Sequence, residues 1–149
     1  MTRVLAPVAG RVVGLAGVPD PVLAEAMVGP GTAVDPIRAP GRAAAPVTGT
    51  LLKLHPHAYV VLDAEGHAVL VHLGVDTVRL GGTGFEPLVP EGAHIEAGRP
   101  VVGWNPAAVE AAGRSPVCVV VALDAHPDAL SRVAESGEVE QGAELFTWT

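Results

Sequence analysis

Glycine and proline divide this chain into short segments, which restricts the folds that it can adopt. The 149 residues include 18 glycines and 14 prolines, and only 3% are aromatic. The apolar runs between these breaks are short and rich in Val, Leu and Ala, which is typical of short strands rather than long helices. We therefore expect an all-β protein of antiparallel strands, a β-sandwich or barrel with short helical turns, in which residues 1–149 form a single domain.

Two pairs of similar segments indicate an internal duplication. The pattern A-P-V-x-G followed by a short apolar strand occurs at residues 6–13 and again at 45–52. Glycine-rich turns flanking a short strand recur at 91–102 and 136–146. Because each motif occurs only twice, a compact sandwich or barrel with internal pseudo-symmetry is favoured over a solenoid. Coincidence is the alternative explanation for copies this short.

Charge and cysteine content restrict the partners and the compartment. The formal net charge is -7 with only 9 Lys and Arg, which argues against nucleic-acid binding and is compatible with basic protein partners. A single cysteine rules out an internal disulfide and suits a reducing compartment. Pro7, Gly10 and Arg11 interrupt any signal-peptide core, and no apolar run approaches the roughly 18 residues of a membrane span. We expect a soluble, cytoplasmic protein.

Residues 57–76 predict a β-hairpin that brings two histidines together. The segment contains two apolar strands, H-A-Y-V-V-L and H-A-V-L-V-H-L, joined through D-A-E-G. With a two- or four-residue loop, His57 lies directly opposite His72 on one face, with Cβ atoms about 5 Å apart. A three-residue loop with Gly66 in the left-handed conformation would shift the register by one residue and send the histidines to opposite faces.

A facing pair of histidines suits phosphoryl transfer. Neutral imidazole is a nucleophile at physiological pH, and a second imidazole can donate a hydrogen bond to the charge that arrives beside it. In the facing register the same face carries four apolar side chains, Tyr59, Val61, Ala68 and Leu70. Such a surface suits a site that a partner protein covers. The alternative is that both histidines are core residues hydrogen-bonded to backbone carbonyls.

Three further segments have recognisable local structure. Residues 22–27 predict one helical turn between proline and glycine breaks, and its apolar side chains either cap the core or form a docking patch. The glycines around Thr83 predict a turn or bulge, because no helix follows to complete a phosphate-binding loop. Residues 105–113 predict a two-turn helix, and 117–123 a buried strand in which Cys118 is a packing residue.

A metal site is an alternative use of the same histidines. His55 and His57 form an H-x-H, and His72 and Asp76 form an H-x-x-x-D, all of them ligand types that zinc accepts. A zinc hydrolase also needs a general base and an open coordination position, and no glutamate stands beside the pair. Asp76 follows Gly74, so we expect it to turn the chain or orient a neighbour rather than to bind metal.

Four segments together resemble the glucose-type enzyme IIA domain of the phosphoenolpyruvate-dependent sugar phosphotransferase system. They are residues 18–36, A-P-V-T-G at 45–49, H-A-Y at 57–59 and, most specifically, V-H-L-G-V-D-T-V-R-L-G-G-T-G-F at 71–85. The resemblance extends from about residue 4 to residue 148. It implies an antiparallel β-sandwich of the duplicated hybrid motif type, a shallow apolar active face, the facing register of the hairpin, and no cofactor.

The resemblance also implies roles for individual residues. His72 would accept a phosphoryl group on Nε2 from the histidine phosphocarrier HPr and pass it to a cysteine on the IIB domain of a sugar permease. His57 would stabilise the phosphoryl group, with Gly74 and Asp76 in support. We expect the carbonyl of Gly74 to hold His72 Nδ1 and leave Nε2 free. The docking rim that the resemblance implies consists of Val22, Leu23, Met27, Val28 and Leu70.

One departure from the family lies just before the H-A motif. The family usually has a longer loop there, with a threonine that hydrogen-bonds the phosphate-stabilising histidine, whereas this chain has L-H-P-H-A. That contact is either lost or supplied by His55. The resemblance allows a zinc ion between His57 and His72 when the protein is docked on a regulated enzyme, and it implies no metal in the isolated protein.

The sequence therefore predicts a cytoplasmic phosphocarrier, a phosphotransferase component with a phosphohistidine intermediate. Two alternatives come from other classes: a regulatory binding protein controlled by its phosphorylation state, and a zinc-dependent peptidase of a related β-fold. These residues do not encode the transported sugar, because specificity in such systems lies in the membrane permease.

Overall fold

The computed structural model describes residues 1–149 and contains fourteen short strands and two short α-helices. Single turns of 3-10 helix occupy Leu15–Gly17, Thr77–Leu80 and Pro127–Ala129. The strands and helices, numbered in chain order, are β1 Thr2–Leu5, β2 Gly10–Val12, α1 Pro21–Ala24, β3 Gly31–Pro36, β4 Gly41–Ala44, β5 Gly49–His55, β6 Ala58–Leu62, β7 Ala68–Leu73, β8 Phe85–Pro87, β9 His94–Ile95, β10 Pro100–Trp104, α2 Pro106–Ala111, β11 Cys118–Ala122, β12 Leu130–Ser131, β13 Glu138–Val139 and β14 Glu144–Trp148.

The strands form three antiparallel sheets that enclose one main core. The largest sheet has eight strands in the order β13-β2-β3-β11-β7-β6-β5-β9, and two three-stranded sheets have the orders β1-β14-β12 and β4-β10-β8. The main core contains 27 buried residues, most of them Val, Leu and Ala with a few aromatics. The predicted all-β antiparallel architecture is confirmed. No helix is both long enough and apolar enough to span a membrane.

The two halves of the chain repeat one another, as the paired sequence motifs predicted. In the large sheet β13-β2-β3-β11 corresponds to β9-β5-β6-β7, and the sheet β1-β14-β12 corresponds to β4-β10-β8. The residue just before each A-P-V-x-G motif bonds to the proline of the other motif: Leu5 N–H donates to the Pro46 carbonyl at 2.9 Å and Ala44 N–H to the Pro7 carbonyl at 3.0 Å. These contacts join the halves, and β7 and β11 pair at the centre of the large sheet.

The β6–β7 hairpin has a different register from the predicted one. Ala58, not His57, lies opposite His72. The loop has three residues, and Gly66 at its end has a φ of 82°. Asp63 selects this loop because its Oδ1 accepts hydrogen bonds from the backbone N–H groups of Glu65 and His67, both at 2.9 Å. The prediction of a facing register for the two histidines is therefore wrong.

The register change also moves two predicted neighbours of the histidines. Tyr59 and Val61 are fully buried in the main core, on the face of the sheet opposite to His72. Leu70 and Ala68 do share a face with His72, because they alternate with it along β7. Of the four apolar residues predicted to surround the histidines, only Ala68 and Leu70 therefore lie on the face of His72.

The connection between β2 and β3 covers the outer face of the large sheet. Its helix α1 begins with Pro21 and is capped by Asp20, whose side chain accepts hydrogen bonds from the Val22 and Leu23 N–H groups. Together with the sheet it encloses a second, smaller cluster of buried residues: Val18, Leu23, Ala33, Val75, Val117, Val119 and Val121. The outer face is therefore apolar where this connection lies, and β11 is buried on both faces.

Candidate functional site

His72 lies on β7, in the middle of the large sheet, between Ala58 on β6 and Val119 on β11. Its Nδ1 is 2.5 Å from the carbonyl oxygen of Gly74. A carbonyl can only accept, so Nδ1 carries the hydrogen and donates it, and the lone pair is on Nε2. The contact predicted from the sequence is present, and it gives His72 a nucleophilic Nε2.

Gly74 can make this contact because it has no side chain. Its φ is 83°, and a Cβ there would lie 2.6 Å from Thr77 Cγ2 and 2.8 Å from the Ser115 carbonyl oxygen. The turn that returns the Gly74 carbonyl toward His72 is therefore available only to glycine. Thr77, which no sequence motif marked as a site residue, fixes the same turn: it is fully buried, and its hydroxyl donates to the Leu73 carbonyl at 2.8 Å.

His57 reaches His72 from a hairpin tip rather than from a strand. His55 pairs with Ala58, which leaves Pro56 and His57 as a two-residue turn between β5 and β6. The His57 carbonyl accepts a hydrogen bond from Leu73 N–H at 2.7 Å, and this bond anchors the turn to β7. Because His57 stands outside the strand, the alternation of side chains along β6 does not fix where its ring points.

The two imidazole rings are in contact. Their centroids are 5.3 Å apart and their planes meet at 68°, an edge-on arrangement. The sequence correctly predicted that His57 and His72 lie close together, although the prediction rested on the wrong hairpin register. The glycine-rich segment around Thr83 is a turn, as predicted, and a Cβ added at Gly82 would lie 3.4 Å from Pro56 Cγ at the hairpin tip.

The surroundings favour neutral imidazoles. Burial lowers the pKa of His72, an effect partly offset by the Gly74 carbonyl and by the negative charges of Asp20 and Asp76. Burial also lowers the pKa of His57, and the charges of His72 and His55 act in the same direction. At pH 7 both rings are therefore predominantly neutral, which is the state in which an imidazole nitrogen can attack an electrophile.

Asp76 has a smaller structural role than its sequence position suggested. It is exposed, has a φ of 57°, and makes no capping hydrogen bond at the start of the 3-10 turn Thr77–Leu80. It turns the chain after Gly74, as predicted, and contributes its charge near His72.

The predicted docking rim divides into exposed and buried residues. Val22 is 46% exposed and Met27 is 68% exposed, whereas Leu23 is only 8% exposed and packs in the second cluster. Val28 and Leu70 are half-buried against that cluster. Leu23 is therefore a core residue and not a surface contact. Val78, 62% exposed in the turn that follows Asp76, was missed because nothing in its local sequence marks exposure.

One cluster of possible metal ligands lies away from this site. Asp63, Glu65 and His67 offer ligand atoms within 4.8 Å of one another, at the loop end of the β6–β7 hairpin. The hydroxyl of Thr2 is within hydrogen-bond distance of all three, and His67 stacks on Trp148 with ring centroids 4.1 Å apart. We assign this cluster to the packing of the loop against β1 and β14.

Comparisons with known proteins give a consistent result. Residues 2–127 match a family model described as phosphoenolpyruvate-dependent sugar phosphotransferase system, EIIA 1. The chain is 34% identical over 142 residues to the PTS system glucose-specific EIIA component of Haemophilus influenzae, covering 94% of this chain and 84% of that protein. It is also similar in structure to glucose permease IIA from Mycoplasma capricolum, with a TM-score of 0.88, 33% identity, and coverage of 97% of this chain and 93% of that one.

Some relatives are much longer than this chain. The PTS system glucose-specific EIICBA component of Streptococcus pneumoniae is 44% identical over 114 residues, covering 75% of this chain. The chain spans only 15% of that protein's length.

Proposed function

Because the chain belongs to the EIIA 1 family of the phosphoenolpyruvate-dependent sugar phosphotransferase system, we propose that it is a phosphocarrier, with His72 as the residue that carries the phosphoryl group. The observation that supports this role most directly is the hydrogen bond from His72 Nδ1 to the Gly74 carbonyl. It leaves Nε2 unprotonated, on a ring that lies edge-on to that of a second histidine.

Acceptance of the phosphoryl group follows from this tautomer. The lone pair of His72 Nε2 attacks phosphorus, and a new P–N bond forms as the bond between phosphorus and the donor breaks. The donor's leaving nitrogen takes back the electron pair of that bond. Nδ1 keeps its proton throughout, and the Gly74 carbonyl stabilises the positive charge that develops on the ring.

His57 acts on the phosphoryl group rather than on the nucleophile. Its ring contacts that of His72, so a phosphoryl group on Nε2 lies within its reach. A neutral imidazole offers one N–H donor, which can hydrogen-bond a phosphoryl oxygen as charge shifts between donor and acceptor. We assign His57 to stabilising the group during transfer, with Gly74 and Asp76 supporting His72.

The partners follow from the chemistry and from the relatives. We propose HPr as the phosphoryl donor and the IIB cysteine of a sugar permease as the acceptor, whose thiolate attacks phosphorus and returns the electron pair to His72 Nε2. The name EIICBA of the Streptococcus pneumoniae relative supports a permease partner. Val22, Met27, Val28 and Leu70 are the proposed docking contacts, together with Val78, because all five are at least partly exposed.

The same surface allows a regulatory role in which the phosphorylation state controls binding to other enzymes. A zinc ion between His57 and His72 would require a ligand from such a partner, since the three-residue ligand cluster of this chain lies elsewhere. The zinc-peptidase alternative has less support, because Asp76 is exposed and no carboxylate hydrogen-bonds either histidine of the pair.

Stepwise phosphorylation tests the proposal. Incubation with phosphoenolpyruvate, enzyme I and HPr should add one acid-labile phosphoryl group to the wild-type protein, detected by mass spectrometry. His72→Gln should add none. His57→Gln should still be phosphorylated but should transfer to a IIB domain about tenfold or more slowly.

His94→Gln is the matched control, because His94 is exposed on β9 away from the pair. It should behave as wild type in both steps. Phosphorylation of His72→Gln would refute the assignment of the carrier residue, and a normal transfer rate for His57→Gln would refute the division of roles.

A further inference from the structure

A third histidine ring, that of His55, contacts the proposed pair through His57. His55 is the last residue of β5, and its ring stacks on that of His57 with centroids 5.8 Å apart and planes inclined by 25°. The His57 ring also lies 5.3 Å, centroid to centroid, from the ring of His72. It therefore has imidazole neighbours in both His55 and His72, and no hydrogen bond from a protein group acts on its pKa.

The backbone of His57 is fixed, but its ring is not fixed by the backbone. Pro56 restricts φ at the first position of the turn, and the Leu73 N–H group holds the His57 carbonyl. The torsion that turns an imidazole about its bond to Cβ is soft and has broad minima. A ring that must present one N–H group to a phosphoryl oxygen therefore needs a further contact to fix that torsion.

We propose that His55 is a positioning residue of the phosphoryl-transfer site, which orients the His57 imidazole by stacking on it. Offset-stacked rings with centroids 4.5–7 Å apart attract one another beyond simple burial. The near-parallel arrangement with His55 opposes rotation of the His57 ring out of its edge-on contact with His72. This inference rests on the proposed function, and it gives to His55, through stacking, the part that the family resemblance gives to a hydrogen bond from threonine.

The test separates ring stacking from other effects at this exposed position. His55→Ala removes the ring, and His55→Phe keeps a ring without its nitrogens. His126→Ala is the control, since His126 is an exposed histidine whose ring accepts a hydrogen bond from Asp128 N–H within its own turn. The measured quantities are the rate of phosphorylation by phospho-HPr and the rate of transfer from the isolated phosphoprotein to a IIB domain.

We expect His55→Ala to slow transfer about fivefold while changing the phosphorylation rate less than twofold. His55→Phe and His126→Ala should stay within twofold of wild type in both steps. In a His57→Gln background, His55→Ala should cause no additional slowing, because its effect passes through His57. The midpoint of thermal unfolding of His55→Ala should equal that of wild type, which distinguishes a positioning role for His55 from a role in stability.

Several outcomes would overturn the inference. They are transfer at the wild-type rate by His55→Ala, equal slowing by His55→Phe and His55→Ala, and slowing that persists in the His57→Gln background. Absence of phosphorylation in the wild-type protein would contradict the proposed function instead. In that case NMR relaxation of the His57 ring remains a direct readout, and unchanged ring order in His55→Ala would contradict the inference about His55.

Discussion

At the scale of single residues, Gly74 connects the backbone to the chemistry of His72. Its carbonyl selects the His72 tautomer, and the lack of a side chain lets the turn pass close to Thr77 and Ser115. Two separate constraints exclude other residues from position 74: the left-handed φ, and the lack of space for a Cβ. The chain offers a control for the first one alone, because Gly66 has nearly the same φ, 82°, with no atom near the position of a Cβ.

We predict that Gly74→Ala and Gly66→Ala differ in both stability and function. Gly66→Ala should lower the free energy of unfolding by about 1 kcal/mol, the cost of a left-handed alanine. Gly74→Ala should lower it by about 3 kcal/mol or more, because the methyl group also meets backbone and buried atoms. Denaturant unfolding gives both values.

The rate of phosphorylation by phospho-HPr should be normal in Gly66→Ala. In Gly74→Ala the folded molecules should be phosphorylated more slowly, because the methyl group displaces the Gly74 carbonyl from His72 Nδ1. Equal losses of stability in the two variants would mean that the space around Gly74 imposes no constraint of its own.

At the scale of elements, the sequence predicted whether a segment is a helix or a strand better than it predicted which residues of paired strands face each other. The helix at residues 105–113 was predicted from an N-cap, a proline and a glycine, and α2 is indeed Pro106–Ala111 with its cap at Asn105. The buried strand at 117–123 was predicted from its continuous apolar run, and β11 is Cys118–Ala122. Such local signals depend on neighbours in the chain, so they are visible in the sequence.

The register of the β6–β7 hairpin could not be obtained in the same way. Apolar alternation fixes a register when one face of a strand is buried and the other is wet. Here the outer face is also apolar, because Leu70 packs on the second cluster beneath the connection that carries α1. Only the loop distinguishes the two registers, and the deciding contacts are side-chain hydrogen bonds of Asp63.

In the connection between β2 and β3, the sequence likewise did not show which apolar residues are buried and which are exposed. Leu23, in α1, packs in the second cluster, whereas Met27, three residues beyond the end of α1, is 68% exposed. The sequence left open whether these residues cap the core or form a docking patch. The structure divides the two roles between the two side chains, because α1 ends at Ala24 and the left-handed Ala26, with a φ of 56°, turns the chain before Met27.

This division predicts that alanine at position 23 affects stability, whereas alanine at position 27 affects the interaction with phospho-HPr. Leu23→Ala should lower the free energy of unfolding by about 2–3 kcal/mol, because it leaves a cavity in a small cluster. Met27→Ala should change it by less than about 0.5 kcal/mol but should raise the KM for phospho-HPr. Thermal unfolding and steady-state phosphorylation measure the two effects. A destabilised Met27→Ala, or a stable Leu23→Ala with a raised KM, would reverse the assignment.

At the scale of the whole molecule, the two structural halves contribute different parts to one site. His72 lies on β7, which pairs with β11 where the halves meet. The β5–β6 connection is a two-residue tip that presents His57, while the corresponding β2–β3 connection is long and covers the outer face beside His72. The two equivalent connections thus differ: one presents His57 next to His72, and the other covers the outer face of the sheet.

The last strands are part of this arrangement although they lie beyond the matched family region, residues 2–127. β14 pairs with both β1 and β12, in the position that β10 has in the other half. Its side chains belong to the main core: Leu145 and Phe146 are fully buried and Trp148 is 6% exposed. A chain that stops at residue 127 would leave β1 without its partner and open the core.

We therefore predict that residues 2–127 alone do not fold cooperatively. Circular dichroism should show no sigmoidal thermal transition, and incubation with phospho-HPr should leave this fragment unmodified. Phe146→Ala in the full chain is the graded version of the same test, and it should lower the free energy of unfolding by about 3–5 kcal/mol while leaving a folded protein that is phosphorylated. A fragment that unfolds cooperatively and accepts phosphate would show that the first 127 residues contain a sufficient core, and that β14 only adds stability to it.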